Sequence, residues 1–375
     1  MRRVLVTYGT RPEAIKMAPV VAALRARAAG LVVRTCVTAQ HRHLLDQVNA
    51  LFGIVPDIDL ALMQPGQSLA ALTARVLEAM TAVLEAERPD VVLVHGDTTT
   101  AMATALAAFY RGVPVGHVEA GLRSGRLDAP FPEELNRVVI DRLAQHLWAP
   151  TAGAARNLSR EGLEAARIVV TGNTAVDALA LARTRLSGAP LAVPALLRGA
   201  RRLALVTAHR RESFGAPLAE AFRGIAALAR RHPEVTFAYP VHPNPQVEGP
   251  ARASLDLPNV RLLPPVEYGD LVWLLERAEL VLTDSGGIQE EAATLGKPLL
   301  VLREVTERPE IVEAGAGLLV GTDAQRIEAE GHRLLAEAAA RASFRPRDLF
   351  GDGAAAQRIA ASVCGEPVAP WQPAA

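Results

Sequence analysis

The stretch Val281-Leu282-Thr283-Asp284-Ser285-Gly286-Gly287-Ile288-Gln289-Glu290-Glu291 indicates a strand, a tight turn and a helix in direct succession. Its apolar start predicts a buried strand, the residues from Asp284 to Gly287 predict the turn, and those from Ile288 to Leu295 predict the helix. A helix that opens on such a turn leaves backbone N–H groups free, and glycines let an anion approach them closely. We therefore predict a phosphate site, although an ordinary strand–turn–helix with a glycine-rich bend explains this motif equally well.

Two glutamates follow this turn and indicate what else the ligand carries. A carboxylate accepts hydrogen bonds and repels phosphate, so Glu290 and Glu291 suit the hydroxyl groups of a sugar or a ribose. A phosphate site beside hydroxyl acceptors predicts a nucleotide sugar as the ligand.

Length and composition limit the classes of protein to which the chain can belong. Its 375 residues fit two domains of ordinary size, and 50% of them are apolar. The 40 basic residues balance 40 acidic ones, so there is no net positive charge to attract nucleic acid or an anionic membrane surface. No uncharged apolar run reaches membrane-spanning length. We expect no nucleic-acid partner and no membrane partner.

Cysteine usage and the search for cofactor motifs point the same way. Cys36 and Cys364 stand far apart, with neither metal-ligand spacing nor a disulfide framework, which predicts a cytoplasmic protein. The sequence contains neither a Walker loop nor a GxGxxG fingerprint. It also has no Cys/His/Asp cluster at ligand spacing. We therefore expect no cofactor and no bound metal.

Short apolar runs alternate with longer helical segments over nearly the whole chain. This order predicts an α/β fold with parallel sheets that helices cover on both faces. The pattern loosens around Ser187-Gly188-Ala189-Pro190, which predicts a domain boundary between Thr171 and Arg202. Helices are expected at 17–27, 69–87, 99–110 and 218–231, and strands at 3–7, 32–38, 91–94, 113–118, 146–149, 168–171, 203–207, 236–240, 260–263, 280–283, 299–302 and 317–320.

Carboxylates of the first half lie at predicted strand ends, where doubly wound sheets bind their ligands. Asp97 could be a helix N-cap, but Thr98 and Thr99 behind it could cap equally well, so both a structural and a functional role stay open. Glu119 directly follows a strand and has no such structural explanation.

A further pair of acids, Glu133 and Glu134, begins a predicted helix after Pro132. Acidic side chains are favoured at a helix start in any case, and this explains one of the two. The other is available for chemistry.

Basic side chains also follow predicted strand ends. Arg11 and Lys16 flank a helix start that Pro12 favours, and we interpret them as phosphate ligands rather than as two surface cations. His209 follows the strand at 203–207 beside two arginines, which suits a phosphate or a leaving-group role.

These motifs occur in order in a known family. From about residue 4 to about residue 362 the chain resembles the non-hydrolysing UDP-N-acetylglucosamine 2-epimerases of bacteria. The resemblance is carried by GTRPE at 9–13, HGDTT at 95–99, HVEAGLR at 117–123, PEELNR at 132–137, TGNT at 171–174, AHRRE at 208–212, TDSGGIQEE at 283–291, TERPE at 306–310 and GDG at 351–353.

The resemblance implies a fold and a reaction. The fold is like that of GT-B glycosyltransferases, with two Rossmann-like, doubly wound parallel-sheet domains facing a deep cleft. Residues 1–172 and a returning C-terminal helix at about 354–375 would form the first domain, and 173–353 the UDP-binding domain. The reaction interconverts UDP-GlcNAc and UDP-ManNAc without a cofactor, by elimination of UDP to a 2-acetamidoglucal and re-addition. The family also implies a homodimer.

The resemblance also implies roles for particular residues. A base must remove the proton at C2 of the sugar, and an acid must return one on the opposite face. The sequence does not indicate which residue is the base and which is the acid. The implied catalytic residues are Asp97, Glu119, Glu133 and His209. The implied ligands of the UDP-sugar are Arg11, Lys16, Ser285, Gly286, Gly287, Glu291 for the ribose and Arg308 for the phosphate or sugar. A second, activating UDP-GlcNAc site would use Gln40, His41, Gln67, Arg210 and His242.

Three alternatives stay open at this point. A hydrolysing epimerase would release ManNAc and UDP, and water entry depends on closure of the protein rather than on these residues. A GT-B glycosyltransferase would use the same UDP ligands with an acceptor. A non-catalytic UDP-sugar sensor is disfavoured, because binding alone does not call for three acids near a diphosphate.

Overall fold

The computed structural model describes residues 1–27, 30–38, 42–64, 66–186, 191–345 and 348–373, without the side chains of 42–44 and 211. It divides into two compact units, Met1–Arg185 with Phe350–Ala375, and Leu186–Leu349. The expected division at residue 172 thus precedes helix Thr174–Leu186, nearly all of which lies in the first unit.

The first unit is built on one sheet of seven strands. Its strands are β1 (Arg2–Tyr8), β2 (Leu31–Val37), β3 (Ile58–Asp59), β4 (Val91–His95), β5 (Val115–Val118), β6 (His146–Ala149) and β7 (Ile168–Val170). Its helices up to the division are α1 (Arg11–Ala26), α2 (Arg42–Leu51), α3 (Leu69–Glu87), α4 (Thr99–Tyr110), α5 (Glu133–Leu143), α6 (Ala152–Arg160) and α7 (Thr174–Leu186). All paired strands run parallel, in the order β3-β2-β1-β4-β5-β6-β7. The order reverses between β1 and β4, as in doubly wound folds.

The six strands and two helices predicted most clearly for this unit are confirmed, and α3 and α4 have the predicted bounds. One strand was not predicted: β3 has only two residues, too few to show an apolar period. Helix α1 begins at Arg11, at the start that Pro12 indicated, and continues through most of the expected segment 17–27; Thr10 and Glu13 form a capping box there.

The centre of this sheet is buried on both faces. Every residue of Val91–Val94 in β4 has an exposed fraction of 0%. Such strands read as continuous apolar runs rather than alternating ones, which is why the sequence showed them clearly. Cys36 in β2 is also buried, and its burial raises the pKa of its thiol to about 12. It is a core side chain.

The second unit has a sheet of six strands. These are β8 (Arg202–Thr207), β9 (Val235–Pro240), β10 (Val260–Leu263), β11 (Leu280–Thr283), β12 (Leu299–Val301) and β13 (Leu318–Leu319). Its helices are α8 (Val193–Leu196), α9 (Ala216–Arg231), α10 (Pro245–Ser254), α11 (Tyr268–Arg277), α12 (Gly286–Thr294), α13 (Pro309–Glu313), α14 (Ala324–Ala336) and α15 (Ala338–Ala342). The strands are parallel in the order β10-β9-β8-β11-β12-β13, so the ends of β8 and β11 lie side by side at the reversal.

The chain then returns to the first unit through α16 (Ala355–Val363). The buried carboxylate of Asp177 in α7 accepts the N–H groups of Ala355 and Ala356 at 3.3 and 2.8 Å. Beyond α16, the N–H of Trp371 donates to the carbonyl of Val170 at 2.8 Å. These bonds explain why α7 belongs to the first unit. Over the described ranges, no helix is both long and apolar enough to cross a membrane.

Candidate active site

Glu119 follows β5 in a backbone conformation that L-residues rarely adopt. Its φ is 71°, in the left-handed region, and its N–H and that of Ala120 both donate to the carbonyl of Trp148 at 3.1 Å. A non-glycine residue held in this region carries strain, which is a recurrent property of functional positions. The sharp turn explains why the side chain leaves the strand where it does.

The carboxylate of Glu119 is almost buried, among polar side chains from three elements. Its Oε2 forms an ion pair with Lys16 of α1, lies 3.7 Å from Nε2 of His95 and accepts a hydrogen bond from Nδ2 of Asn173 at 3.1 Å. The exposed fraction of both the Lys16 and the Glu119 side chain is 8%. A charged carboxylate can be buried only with such partners. Lys16, expected as a phosphate ligand, is therefore placed against a catalytic candidate.

Asp97 follows β4, the neighbour of β5 in the sheet. Its Oδ2 accepts a hydrogen bond from a terminal nitrogen of Arg137 at 2.6 Å, and its carbonyl accepts one from Asn136 at 2.8 Å. The N-cap of α4 is Thr98, whose hydroxyl accepts the N–H of Ala101 at 3.0 Å, so Asp97 is not needed for capping. Its side chain keeps an exposed fraction of 30%. Sequence reasoning missed Asn136 and Arg137, although PEELNR places them one helical turn after Glu133.

The two acids that open α5 have different environments. Glu134 is buried, and its Oε1 accepts the N–H groups of Ser124 and Gly125 at 3.0 and 3.1 Å. It is the structural member of the pair, because it holds the loop before the helix. Glu133 is the first helical residue and is half-buried. It stays the catalytic candidate of the two.

Glu13 connects the loop before α1 to the segment after β4 that carries Asp97. Its carboxylate accepts the N–H groups of Gly9 and Thr10 at 3.0 and 2.6 Å and the hydroxyl of Thr98 at 2.7 Å. Its burial raises the pKa of its carboxyl group. Sequence reasoning missed this role, although the spacing from Thr10 to Glu13 is that of a capping box. Arg11, the first residue of α1, is half-buried.

In the second unit, α12 begins at Gly286, two residues earlier than predicted, so both glycines are helical. Its N-cap Ser285 forms no side-chain capping bond. The N–H groups of the first turn therefore have no side-chain cap and point along the helix axis toward any anion in front of them. A Cβ added to Gly287 would meet no atom within 4 Å, so that side of the turn is open.

Gly286 leaves room for a buried arginine. A Cβ at this position would lie 2.6 Å from Cζ of Arg308, so only glycine lets that guanidinium pack against the helix start. Nε of Arg308 donates to Oε1 of Glu290 at 2.7 Å, and a terminal nitrogen lies 3.4 Å from Glu307. Glu307 in turn binds both terminal nitrogens of Arg303, at 2.8 and 3.1 Å.

The two glutamates of α12 therefore have different roles. Glu290 has an exposed fraction of 1% and binds Arg308, so we no longer expect it to hold a ligand hydroxyl. Oε1 of Glu291 accepts the hydroxyl of Tyr268 at 2.7 Å, which fixes the direction of its carboxylate. The sequence motif alone could not separate them.

His209 lies after β8 and is held by the first acid of the glycine turn. Oδ2 of Asp284 accepts the N–H groups of His209 and Arg210 at 2.6 and 2.8 Å, and Oδ1 lies 3.6 Å from Nδ1 of His209. The ring stacks on His242, with centroids 5.5 Å apart and planes 8° from parallel. The side chain of His209 keeps an exposed fraction of 38%, so it can reach a ligand.

The residues expected at a second nucleotide-sugar site are only partly described. Gln40 and His41 lie outside the described residues. Gln67 belongs to the first unit, is half-buried and donates from Nε2 to Sδ of Met63 at 2.7 Å. Arg210 and His242 belong to the second unit and lie next to or against His209. As far as the chain is described, no three His, Cys, Asp or Glu side chains are arranged to hold a metal ion.

Comparison with known proteins gives a consistent result. The model of the UDP-N-acetylglucosamine 2-epimerase family matches residues 22–364. The UDP-N-acetylglucosamine 2-epimerase of Escherichia coli K12 is 50% identical over 365 residues, which cover 95% of this chain and 97% of that protein. The UDP-GlcNAc 2-epimerase of Neisseria meningitidis, in a crystal structure bound to UDP-GlcNAc, is 42% identical with a TM-score of 0.92, over 97% of this chain and 100% of that one.

A third relative extends the comparison to another bacterium. Staphylococcus aureus MnaA, in a structure with UDP, is 40% identical with a TM-score of 0.91, over 98% of this chain and 99% of that one. The predicted architecture of two Rossmann-like parallel-sheet domains is confirmed. Motif order, fold and full-length similarity agree, and the chain belongs to the UDP-N-acetylglucosamine 2-epimerase family.

Proposed function

We propose that this protein is a non-hydrolysing epimerase that interconverts UDP-GlcNAc and UDP-ManNAc. Its membership of the family carries the proposal. The arrangement around Glu119 supports it, because a strained, nearly buried carboxylate beside Lys16 and His95 is poorly explained by binding alone.

We assign the proton chemistry at C2 of the sugar to the first unit. A carboxylate removes the C2 proton, the C2–H electron pair forms the C1–C2 double bond, and the C1–O bond breaks with its electrons leaving on UDP. Protonation at C2 from the opposite face and return of UDP to C1 then give the epimer, with no net oxidation. The proposed acids and bases are Asp97, Glu119 and Glu133. The pH dependence of epimerisation, measured from UDP-GlcNAc and from UDP-ManNAc, would show which of them acts as the base and which as the acid.

We assign the UDP group to the second unit. Its departure as a diphosphate develops negative charge, which preorganised donors stabilise. The uncapped amides of Gly286 and Gly287 and the guanidinium of Arg308 are suited to this, and they already lie together. The N–H of Ser285 donates to Oγ1 of Thr283 at 3.0 Å, so we propose the hydroxyl of Ser285 rather than its amide as a ligand. Glu291 is the proposed acceptor for the ribose hydroxyls. His209, with Arg11 and Lys16 of the first unit, completes the proposed set.

Incubation with UDP-GlcNAc in deuterated water tests the reaction. We expect UDP-ManNAc with deuterium at C2, followed by ¹H NMR, because a proton removed by a carboxylate exchanges with solvent before its return. Free ManNAc and UDP as the main products would indicate the hydrolysing reaction instead. Binding of the nucleotide sugar without deuterium incorporation would indicate a sensor. Product formation that requires an added acceptor would indicate a glycosyltransferase.

The expectations about a second ligand site, the oligomeric state and the cellular location belong to this proposal. We propose that Gln40, His41, Gln67, Arg210 and His242 bind a second, activating UDP-GlcNAc. A homodimer in the cytoplasm stays a prediction, which sedimentation analysis and cell fractionation would check. No cofactor is required by the chemistry, because the hydrogen leaves and returns as a proton.

A further inference from the structure

Asp141 is a buried acid in α5 that the proposed chemistry does not use. Its exposed fraction is 0%, yet both carboxylate oxygens are occupied. Oδ1 lies 2.6 Å from Nδ1 of His117, while Oδ2 accepts the N–H of Gly121 at 3.2 Å and lies 2.8 Å from a terminal nitrogen of Arg123. The side chain of Asp141 thus contacts both His117 in β5 and the loop that follows β5, at Gly121 and Arg123.

His117 extends this contact to the neighbouring strand. The imidazole has an exposed fraction of 0%, and its Nε2 lies 2.7 Å from the carbonyl oxygen of Gly96. A carbonyl only accepts, so Nε2 is the donor in this bond. Nδ1 faces the carboxylate of Asp141 at 2.6 Å, so the imidazole links Asp141 to the carbonyl of Gly96.

The residues that Asp141 and His117 contact lie next to Asp97 and Glu119, the two catalytic candidates that follow neighbouring strands of the sheet. Gly96 directly precedes Asp97 and has a φ of 67°. The orientation of its peptide group therefore determines the position of the Asp97 backbone. His117 and Gly121 lie two residues before and two residues after Glu119, whose backbone is in the left-handed region. A strained conformation persists only where its surroundings hold it.

We propose that Asp141, acting through His117, is a positioning residue that sets the places of Asp97 and Glu119 relative to each other. The proposal rests on the proposed function, in which these two carboxylates transfer protons. Arg123 completes the network from outside, because a terminal nitrogen lies 2.8 Å from Oδ2 of Asp141 and compensates the charge of the buried carboxylate. The same guanidinium is held by Glu161 at 2.6 and 2.9 Å.

The test is the split between kcat and KM in Asp141→Asn, with Asp57→Asn as a control for the loss of a carboxylate away from the candidate site. Asp57 also accepts a backbone N–H, that of Thr35 at 2.8 Å, and binds Arg34 at 2.8 Å, but its side chain keeps an exposed fraction of 23% and it lies directly before β3. We expect Asp141→Asn to lose about 100-fold in kcat, with KM and UDP affinity unchanged within about twofold, because a small misplacement of catalytic groups affects the chemical step. Asp57→Asn should lose thermal stability and keep kcat.

A second variant covers the case in which Asp141→Asn does not fold. His117→Gln leaves Asp141 with Arg123 and Gly121 but removes the imidazole that links it to Gly96, and we expect a similar loss in kcat at unchanged KM. Deuterium incorporation at C2 should fall with kcat, while UDP binding measured by calorimetry persists. A loss of UDP binding together with kcat would contradict a role confined to positioning.

The outcomes separate this inference from the proposed function. A wild-type protein without epimerisation would overturn both. An active wild type with Asp141→Asn and His117→Gln at full kcat, and with stability lost as in Asp57→Asn, would overturn the positioning role alone. A fall in kcat restricted to the Asp141 and His117 variants is the result we expect.

Discussion

Replacement of Gly286 by alanine would test whether the helix start and Arg308 form one anion site. The added Cβ would lie 2.6 Å from Cζ of Arg308 and 2.6 and 2.8 Å from its two terminal nitrogens. Ordinary contact begins at 3.4 Å, so the guanidinium would have to retreat by roughly 0.8 Å. An exposed arginine would do so at little cost, but this one has an exposed fraction of 7% and is held by acids.

The size of the effect follows from the bonds that this movement disturbs. Nε of Arg308 donates to Glu290 at 2.7 Å, and a terminal nitrogen lies 3.4 Å from Glu307. These acids fix the guanidinium, so its retreat would remove its proposed contact with the diphosphate; one charge-assisted hydrogen bond contributes about 1.5–3 kcal/mol, and we expect the affinity for UDP to fall about 10- to 150-fold. Titration calorimetry with UDP alone measures this without turnover.

A double-mutant cycle attributes the loss to the proposed contact. In an Arg308→Ala background the clash is absent, so Gly286→Ala should change the affinity for UDP by less than about twofold. Equal losses in both backgrounds, or full affinity of Gly286→Ala in the wild-type background, would refute the argument. Gly287→Ala is the control for stability: its Cβ meets nothing within 4 Å, and the helix should gain up to about 1 kcal/mol.

Three further changes address the first unit and the activating site. Asp97→Asn should reduce deuterium incorporation at C2 about 10²- to 10⁴-fold while UDP binding by calorimetry persists; unaltered turnover would remove it from the catalytic set. Because burial raises the pKa of Glu13 above its ordinary 4.5, the folded state binds more protons in the window just above pH 4.5 and the unfolding free energy falls as pH rises through it. Glu13→Gln should flatten this dependence in urea unfolding, and an unchanged slope would assign it to another group. Arg210→Ala should make the dependence of velocity on UDP-GlcNAc hyperbolic if the activating site exists, and retained sigmoidal kinetics would exclude Arg210 from it.

Most of the fold could be predicted from the sequence because parallel strands buried on both faces are continuous apolar runs. The strands β6, β10 and β11 have the predicted bounds. The prediction missed β3, whose pairing with β2 stabilises two residues that have no pattern of their own. The start of α1 followed from Pro12 and not from apolar spacing, which marked only 17–27, because capping decides where a helix begins.

The site was predictable only in part, for a physical reason. The ends of parallel strands meet at one edge of a sheet, so strand ends alone predict that Asp97 and Glu119 lie on neighbouring loops. Their partners come from distant segments: Asn173 reaches Glu119 from the loop after β7, and Arg137 reaches Asp97 from α5. Spacing along the chain holds no signal for such contacts, because they depend on packing of whole elements.

Hydrogen bonds from backbone N–H groups mark the acids that hold the loops of the site. Both oxygens of Asp141 and those of Glu13 accept bonds from nearby backbone or side-chain donors, and Oε1 of Glu134 accepts two backbone N–H groups. Removing a carboxylate so engaged would leave several buried donors without an acceptor at once, which is costly. Asp97 instead keeps an exposed fraction of 30%. Glu133 and Glu134 are adjacent and chemically identical, and the two backbone N–H groups that Glu134 accepts show that Glu134 holds the loop before α5, which the sequence motif alone could not indicate.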